Sequence, residues 1–132
     1  MSSSIDPRFT FKGYIPDDSD EIHIGIVLNA REPILKYCYG TSKEKKIING
    51  DFVTIKKEEM ASYFKNPKET FIYISERHII DILIITFISR LESEYDVLEP
   101  IDTNIYVRIL SKIENSDNLS DRFKKEFFEF MG

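Results

Sequence analysis

Between residues 21 and 75 apolar and polar positions alternate over short runs. Ile22, Ile24 and Ile26 stand against His23 and Gly25; Val53 and Ile55 stand against Phe52, Thr54 and Lys56; Phe71 and Tyr73 stand against Ile72 and Ile74. A repeat of two places neighbouring side chains on opposite faces of a strand. Turn formers separate the runs: "NAREP" (29–33), whose Pro33 cannot donate to a ladder, and Asn49-Gly50-Asp51. The pattern predicts strands over 21–30 and 34–40 joined as a hairpin, a strand over 52–56, a helical turn or two within 58–64, and a strand over 70–75. The apolar run 79–88 reads as further strand, interrupted near Asp81. Its isoleucines and Thr86 suit a pleated sheet, and "ITFISRLESEY" reads as one long strand.

Past residue 100 the period lengthens. Ile105, Ile109, Leu110 and Ile113 recur every three to four residues, and Asp102 is placed to cap the helix they define, at about 102–115. Phe123, Phe127, Phe130 and Met131 mark a second helix at about 120–131, with Ser120 as its cap. Four exposed phenylalanine-sized groups would be a liability, so this face is expected to be covered by the chain's own core. Residues 1–20, punctuated by Pro7, Gly13 and Pro16, read as an irregular lead-in to one domain over 21–132. Short strands at regular spacing followed by helices give an α+β class, as a small, strongly bent antiparallel barrel with two C-terminal helices.

Composition changes this picture little. At 132 residues with 42% hydrophobic content, the chain can bury an ordinary core. Cys38 is the only cysteine, which excludes an intramolecular disulfide and metal sites of the paired-cysteine type. With no signal-peptide pattern at the start, the expected compartment is the cytoplasm, and 79–88 is too short to span a membrane. Two histidines cannot make a three-histidine metal site, and no phosphate loop or dinucleotide fingerprint occurs; no metal and no cofactor are expected.

Charge changes the picture more. The overall charge is −5, yet residues 31–68 sum to +4 and residues 92–132 to −5. A basic segment in an acidic chain suits either a solvated face or a surface that meets a polyanion. That segment contains "YCYGTSKEKK", in which a strand ends in Gly40 and runs into Thr41, Ser42 and Lys43, followed by Lys45 and Lys46. Hydroxyls, backbone N–H groups and a cation just after a glycine can hold a phosphate. His23, His78 and Cys38 are the remaining groups with general-base or nucleophile chemistry, and Cys38 is expected to be a small buried side chain. Arg31 and Arg77 supply further positive charge.

The order of these pieces resembles the PemK/MazF-like toxin family, from about residue 21 to 128. The resemblance rests on the opening strand "IHIGIVLNA", the strand-to-loop "YCYGTSK", the late strand in "YFKNPKETFIYIS" and the tail "RILSKIENSDNLSDRFKKEFF". It implies an SH3-like barrel, often a dimer, that cleaves single-stranded RNA without metal and is neutralised by an antitoxin. It carries the catalytic hydroxyl onto Thr41 or Ser42. The family's arginine sits in an Arg-Pro pair, for which Arg31-Glu32-Pro33 is the nearest counterpart here. On this reading Thr41, Ser42, Arg31 and His78 do the chemistry, while Lys43, Lys45, Lys46 and Arg77 bind the RNA. The alternative is a non-catalytic module that binds protein or RNA, or an oligomerising accessory protein that uses the aromatic face of the last helix.

Overall fold

A computed structural model describes residues 5–15, 20–42 and 51–132 of the protein. Its strands are β1 (Thr10–Tyr14), β2 (Ile22–Arg31), β3 (Ile34–Thr41), β4 (Asp51–Ile55), β5 (Thr70–Ile74), β6 (Ile79–Leu83) and β7 (Asp96–Leu98). Its helices are α1 (Ile84–Ser93), α2 (Thr103–Asn115) and α3 (Asp121–Met131), with a single 3₁₀ turn at Lys57–Met60. All strand pairs are antiparallel, in the order β4-β5-β3-β2-β1-β7, with β6 also on β3. The α+β class therefore holds. The sheet is not closed, because β4 and β7 end the order without pairing to each other.

Strand β3 organises the sheet. One edge pairs with β2 along its length. The other is shared: Ile34–Cys38 pair with β6, and Gly40 and Thr41 pair with β5. Each face carries its own core. On one, Ile24, Ile26, Cys38, Ile72 and Ile74 meet Ile105, Ile109 and Ile113 of α2 and Phe127 of α3. On the other, Phe11, Val27, Leu35, Tyr37 and Tyr39 meet Ile84 and Phe87 of α1 and Tyr95. Edge-on ring contacts tie this second core together, Phe11 to Tyr37 at 5.3 Å and to Phe87 at 4.9 Å.

The two C-terminal helices are where the period places them. Asp102 accepts a hydrogen bond from the Asn104 N–H at 2.8 Å, and Ser120 accepts one from the Phe123 N–H at 3.0 Å. Phe127 is fully buried, and Phe123, Phe128 and Met131 pack against the same core, whereas Phe130, the remaining member of the expected face, lies outside that core, its ring centre 4.9 Å from the Lys36 ammonium.

Two readings are corrected. The run 79–88 is strand only in its first half: Ile79–Leu83 form β6 with no break at Asp81, which pairs with Lys36, whereas "ITFISRLESEY", expected to be one long strand, enters helix α1. Branched side chains do suit a sheet, but Ile84, Phe87 and Leu91 recur at helical spacing, and burying Ile84 and Phe87 against Tyr37 and Phe11 outweighs that propensity of a few tenths of a kcal/mol per residue. The lead-in is not irregular throughout. Thr10–Tyr14 form a strand between β2 and β7, with Phe11 and Ile15 fully buried. Gly25 on β2 makes room for Phe11, since a Cβ there would lie 2.4 Å from its ring. No helix among the described residues is long and apolar enough to cross a membrane.

Candidate functional site

The site begins with a slip in the first hairpin. From the turn upward, Arg31 pairs with Ile34, Ala30 with Leu35 and Asn29 with Lys36. The register then shifts by one residue, and Val27 pairs with Tyr37, Gly25 with Tyr39 and Ile24 with Gly40. Without that slip Thr41 would stand opposite Ile24 rather than His23. One step beyond the last pair, His23 comes level with Thr41, on the face that carries Tyr39. The His23 and Tyr39 rings are 5.8 Å apart, as that placement requires. Helix α2 holds the bulge: the Tyr106 hydroxyl donates to the Leu28 carbonyl at 2.7 Å, and burial raises the Tyr106 phenol above its usual range.

Above the bulge, the ends of β2 and β3 and the segment leading into β5 enclose a pocket of about 130 Å³. His23, Thr41, Ser42, Asn66 and Lys68 contribute to its wall, with Glu21, Ile24, Phe64 and Thr70. Side chains of both alternations line it, as expected where a sheet ends. Gly40 is needed there for a steric reason. A Cβ would stand 2.6 Å from Ile72 Cδ1 and 2.8 Å from the Phe71 carbonyl oxygen, so only glycine lets β5 approach this closely.

His23 has a defined orientation. Its Nδ1 lies 2.7 Å from the Ile15 carbonyl oxygen, which can only accept, so Nδ1 carries the proton. In the neutral ring the lone pair is then on Nε2. That nitrogen is 3.6 Å from Glu21 Oε2, which pairs with the ring once it is protonated. Thr41 is 3% exposed, while Ser42 and Lys68 are open to solvent. The Lys12 ammonium sits 5.7 Å from the centre of the Phe64 ring and adds charge near the rim. Lys43, Lys45 and Lys46 follow Ser42 in the chain and lie outside the described residues.

The other predicted residues are elsewhere. Arg31 ends β2 at the hairpin turn, opposite Ile34, which the rise of an extended strand puts roughly 23 Å from Thr41. Its guanidinium donates to the Glu129 and Phe130 carbonyls at 3.1 and 3.3 Å, neutralising the C-terminal end of α3. Arg31 and Thr41 are therefore not brought together. The distance follows from the hairpin itself, since Arg31 pairs at the turn and Thr41 ends the strand.

His78 and Arg77 lie just past β5, outside the pocket wall. The His78 ring stacks on Tyr73 at 4.3 Å, and its Nδ1 is 2.5 Å from Ser75 Oγ. Burial, and then the Arg77 charge, lower the His78 pKa from its usual value. Cys38 is fully buried, and burial pushes its thiol up to about 12, so it is no nucleophile. Among the described residues no group of three or more His, Cys, Asp or Glu side chains is placed to hold a metal ion.

His23 is therefore the pocket histidine, with Lys68 and Asn66 as further polar walls. Alternation puts His23 off the isoleucine face, but only the bulge puts it beside Thr41, and nothing in the local sequence marks a bulge there. Lys68 falls in a segment that reads as an ordinary loop. Comparison with known family models, curated proteins and solved structures finds no match to this chain.

Proposed function

We propose that the pocket above the β2–β3 bulge binds the ribose–phosphate backbone of single-stranded RNA and cleaves it without a metal. The observation that carries this reading is that one pocket wall contains His23, Thr41, Ser42 and Lys68. Cleavage by the neighbouring hydroxyl needs a base, donors for the charged phosphorane and a proton for the leaving oxygen. His23 Nε2 takes the proton of the ribose 2′-hydroxyl. The 2′-oxygen attacks phosphorus, and the bond to the 5′-oxygen breaks. Thr41, Ser42 and the Lys68 ammonium hold the phosphoryl oxygens, and solvent at the exposed rim protonates the 5′-oxygen. The products are a 2′,3′-cyclic phosphate and a 5′-hydroxyl.

The bent antiparallel sheet is read here as an open relative of the SH3-like barrel that the sequence resemblance implies. Neutralisation by an antitoxin belongs to the same proposal, because an RNA-cleaving protein needs restraint in its own cell. Binding without cleavage is the second reading. The placement of Arg31 favours it, since the guanidinium expected to steady the phosphorane instead caps α3.

The test is cleavage of a fluorescent single-stranded RNA pool in EDTA, comparing the native protein with a Thr41→Ala/Ser42→Ala double variant. Cleavage that yields cyclic-phosphate ends and is lost in the variant supports the nuclease. Salt-sensitive binding without cleavage selects the second reading. Neither cleavage nor binding by folded native protein refutes both.

A further inference from the structure

Next to the pocket, on the face of β3 that carries Tyr39, three more rings gather. Tyr39 stands 5.8 Å from His23 on one side and 5.6 Å from His78 on the other. Tyr73 is edge-on to Tyr39 at 5.4 Å, and His78 lies nearly flat on Tyr73, 18° from parallel. The rings are contiguous with the pocket histidine: His23, Tyr39, then the Tyr73–His78 pair.

The cluster differs from the aromatic core around Phe11 and Phe87. Tyr39 is buried, but Tyr73 and His78 are only partly buried, and Arg77 beside them is exposed. Arg77 is close enough for its charge to act on both Tyr39 and His78. The Ser75 hydroxyl fixes the His78 ring through its Nδ1. The stacked Tyr73 and His78 rings form an aromatic surface with a cation at its border. Flat side chains next to a cationic group are what an unpaired nucleobase and its phosphate recognise.

We propose that the Tyr73–His78 pair, backed by the buried Tyr39, is a nucleobase-stacking subsite, holding one base of a single-stranded RNA beside the pocket that holds its backbone, with Arg77 on the adjoining phosphate. This rests on the pocket reading above and adds to it a direct contact with the base. Double-stranded RNA presents no free base face and does not fit. Stacking of this kind tolerates any base, so sequence preference, where it exists, arises elsewhere.

The probe is a short single-stranded RNA with 2-aminopurine at one central position, compared with the same strand abasic there. Binding is followed by anisotropy of an end label and stacking by 2-aminopurine emission. The native protein should bind the base-bearing strand roughly tenfold tighter than the abasic one and quench its emission, a size set by base–aromatic stacking. Tyr73→Leu should erase that difference and the quenching, whereas Tyr73→Phe should keep both. His78→Ala, in the turn after β5, serves the same purpose if Tyr73→Leu does not fold.

Quenching and base preference unchanged in Tyr73→Leu and His78→Ala, with binding still lowered by Lys68→Ala, would overturn the stacking subsite and leave the pocket reading standing. No binding of either strand by the native protein would overturn the pocket reading and this subsite with it.

Discussion

The two ends of strand β3 hold similar residue types and use them differently. At the turn end, Arg31 donates to the last carbonyls of α3, and the Lys36 ammonium is 2.7 Å from Asp81 and 4.9 Å from the centre of the Phe130 ring. Every cation there is committed to the fold. At the other end, Thr41, Ser42, His23 and Lys68 border a cavity, and Gly40 keeps its floor thin. Arg31 and Lys36 also line an open groove, but on the reading proposed above only the cations at the Thr41 end meet RNA. Composition cannot tell the two apart.

The sharpest way to break the comparison is at His23. His23→Asn keeps an amide N–H near the position of Nδ1, within reach of the Ile15 carbonyl, but removes the base at Nε2. RNA cleavage should fall about a hundredfold or more, the usual contribution of a general base, while RNA binding and the melting temperature stay close to native. Single-turnover cleavage beside a binding titration checks this, and an equal loss of both would place His23 in the scaffold.

Next in size is the bulge that separates the two ends. Tyr106→Phe removes the hydrogen bond to the Leu28 carbonyl and leaves a partly buried acceptor without it. A loss of about 1 kcal/mol in stability is expected, read from urea unfolding. If the bulge also sets the register, cleavage should fall further than binding, because His23 and Thr41 no longer share a face.

Much of the fold is legible in the sequence. The hairpin of β2 and β3, strands β4 and β5, and both capped helices follow from period and capping residues, because each is decided within its own segment. What escaped was decided between segments. Helix α1 is written in residues that favour strands, and its choice is made by the Phe11–Tyr37–Phe87 contact. Strand β1 has no independent signal and forms because β2 and β7 offer it edges. In the pocket, Thr41 and Ser42 were visible as hydroxyls after a glycine. His23 joined them only through a one-residue slip, and Lys68 only through the approach of the segment before β5.

A smaller effect separates the cations at the two ends. Arg31→Ala should cost about 0.5–1 kcal/mol of stability through the exposed end of α3 and leave RNA affinity unchanged. Lys68→Ala should do the reverse: an unchanged melt, a few-fold loss of affinity, and a salt dependence shallower by about 0.7 in the log–log slope, one phosphate contact on a single strand. Paired melts and salt titrations on the two variants decide it. A matching loss of RNA affinity in both would erase the distinction between the ends.

The smallest effect is the proton balance of His78, which lies beyond the pocket end. Its pKa is lowered first by burial and then by Arg77. Tyr39 and Tyr73 also face the ring. Because the folded pKa lies below the unfolded value of about 6.5, the unfolded chain takes up a proton more readily in the window between them. His78 therefore costs no stability above pH 6.5 and subtracts from it progressively as pH falls below that value, until the folded ring protonates too. Arg77→Ala removes the second cause and leaves the first, so the His78 pKa should rise part of the way toward 6.5 and the acid-side loss should shrink. An NMR titration of the His78 Cε1 proton in both proteins reads this directly. An unchanged pKa in the variant would mean that burial alone sets it and that Arg77 stands farther from the ring, which would also remove the cation from the border of the stacking surface.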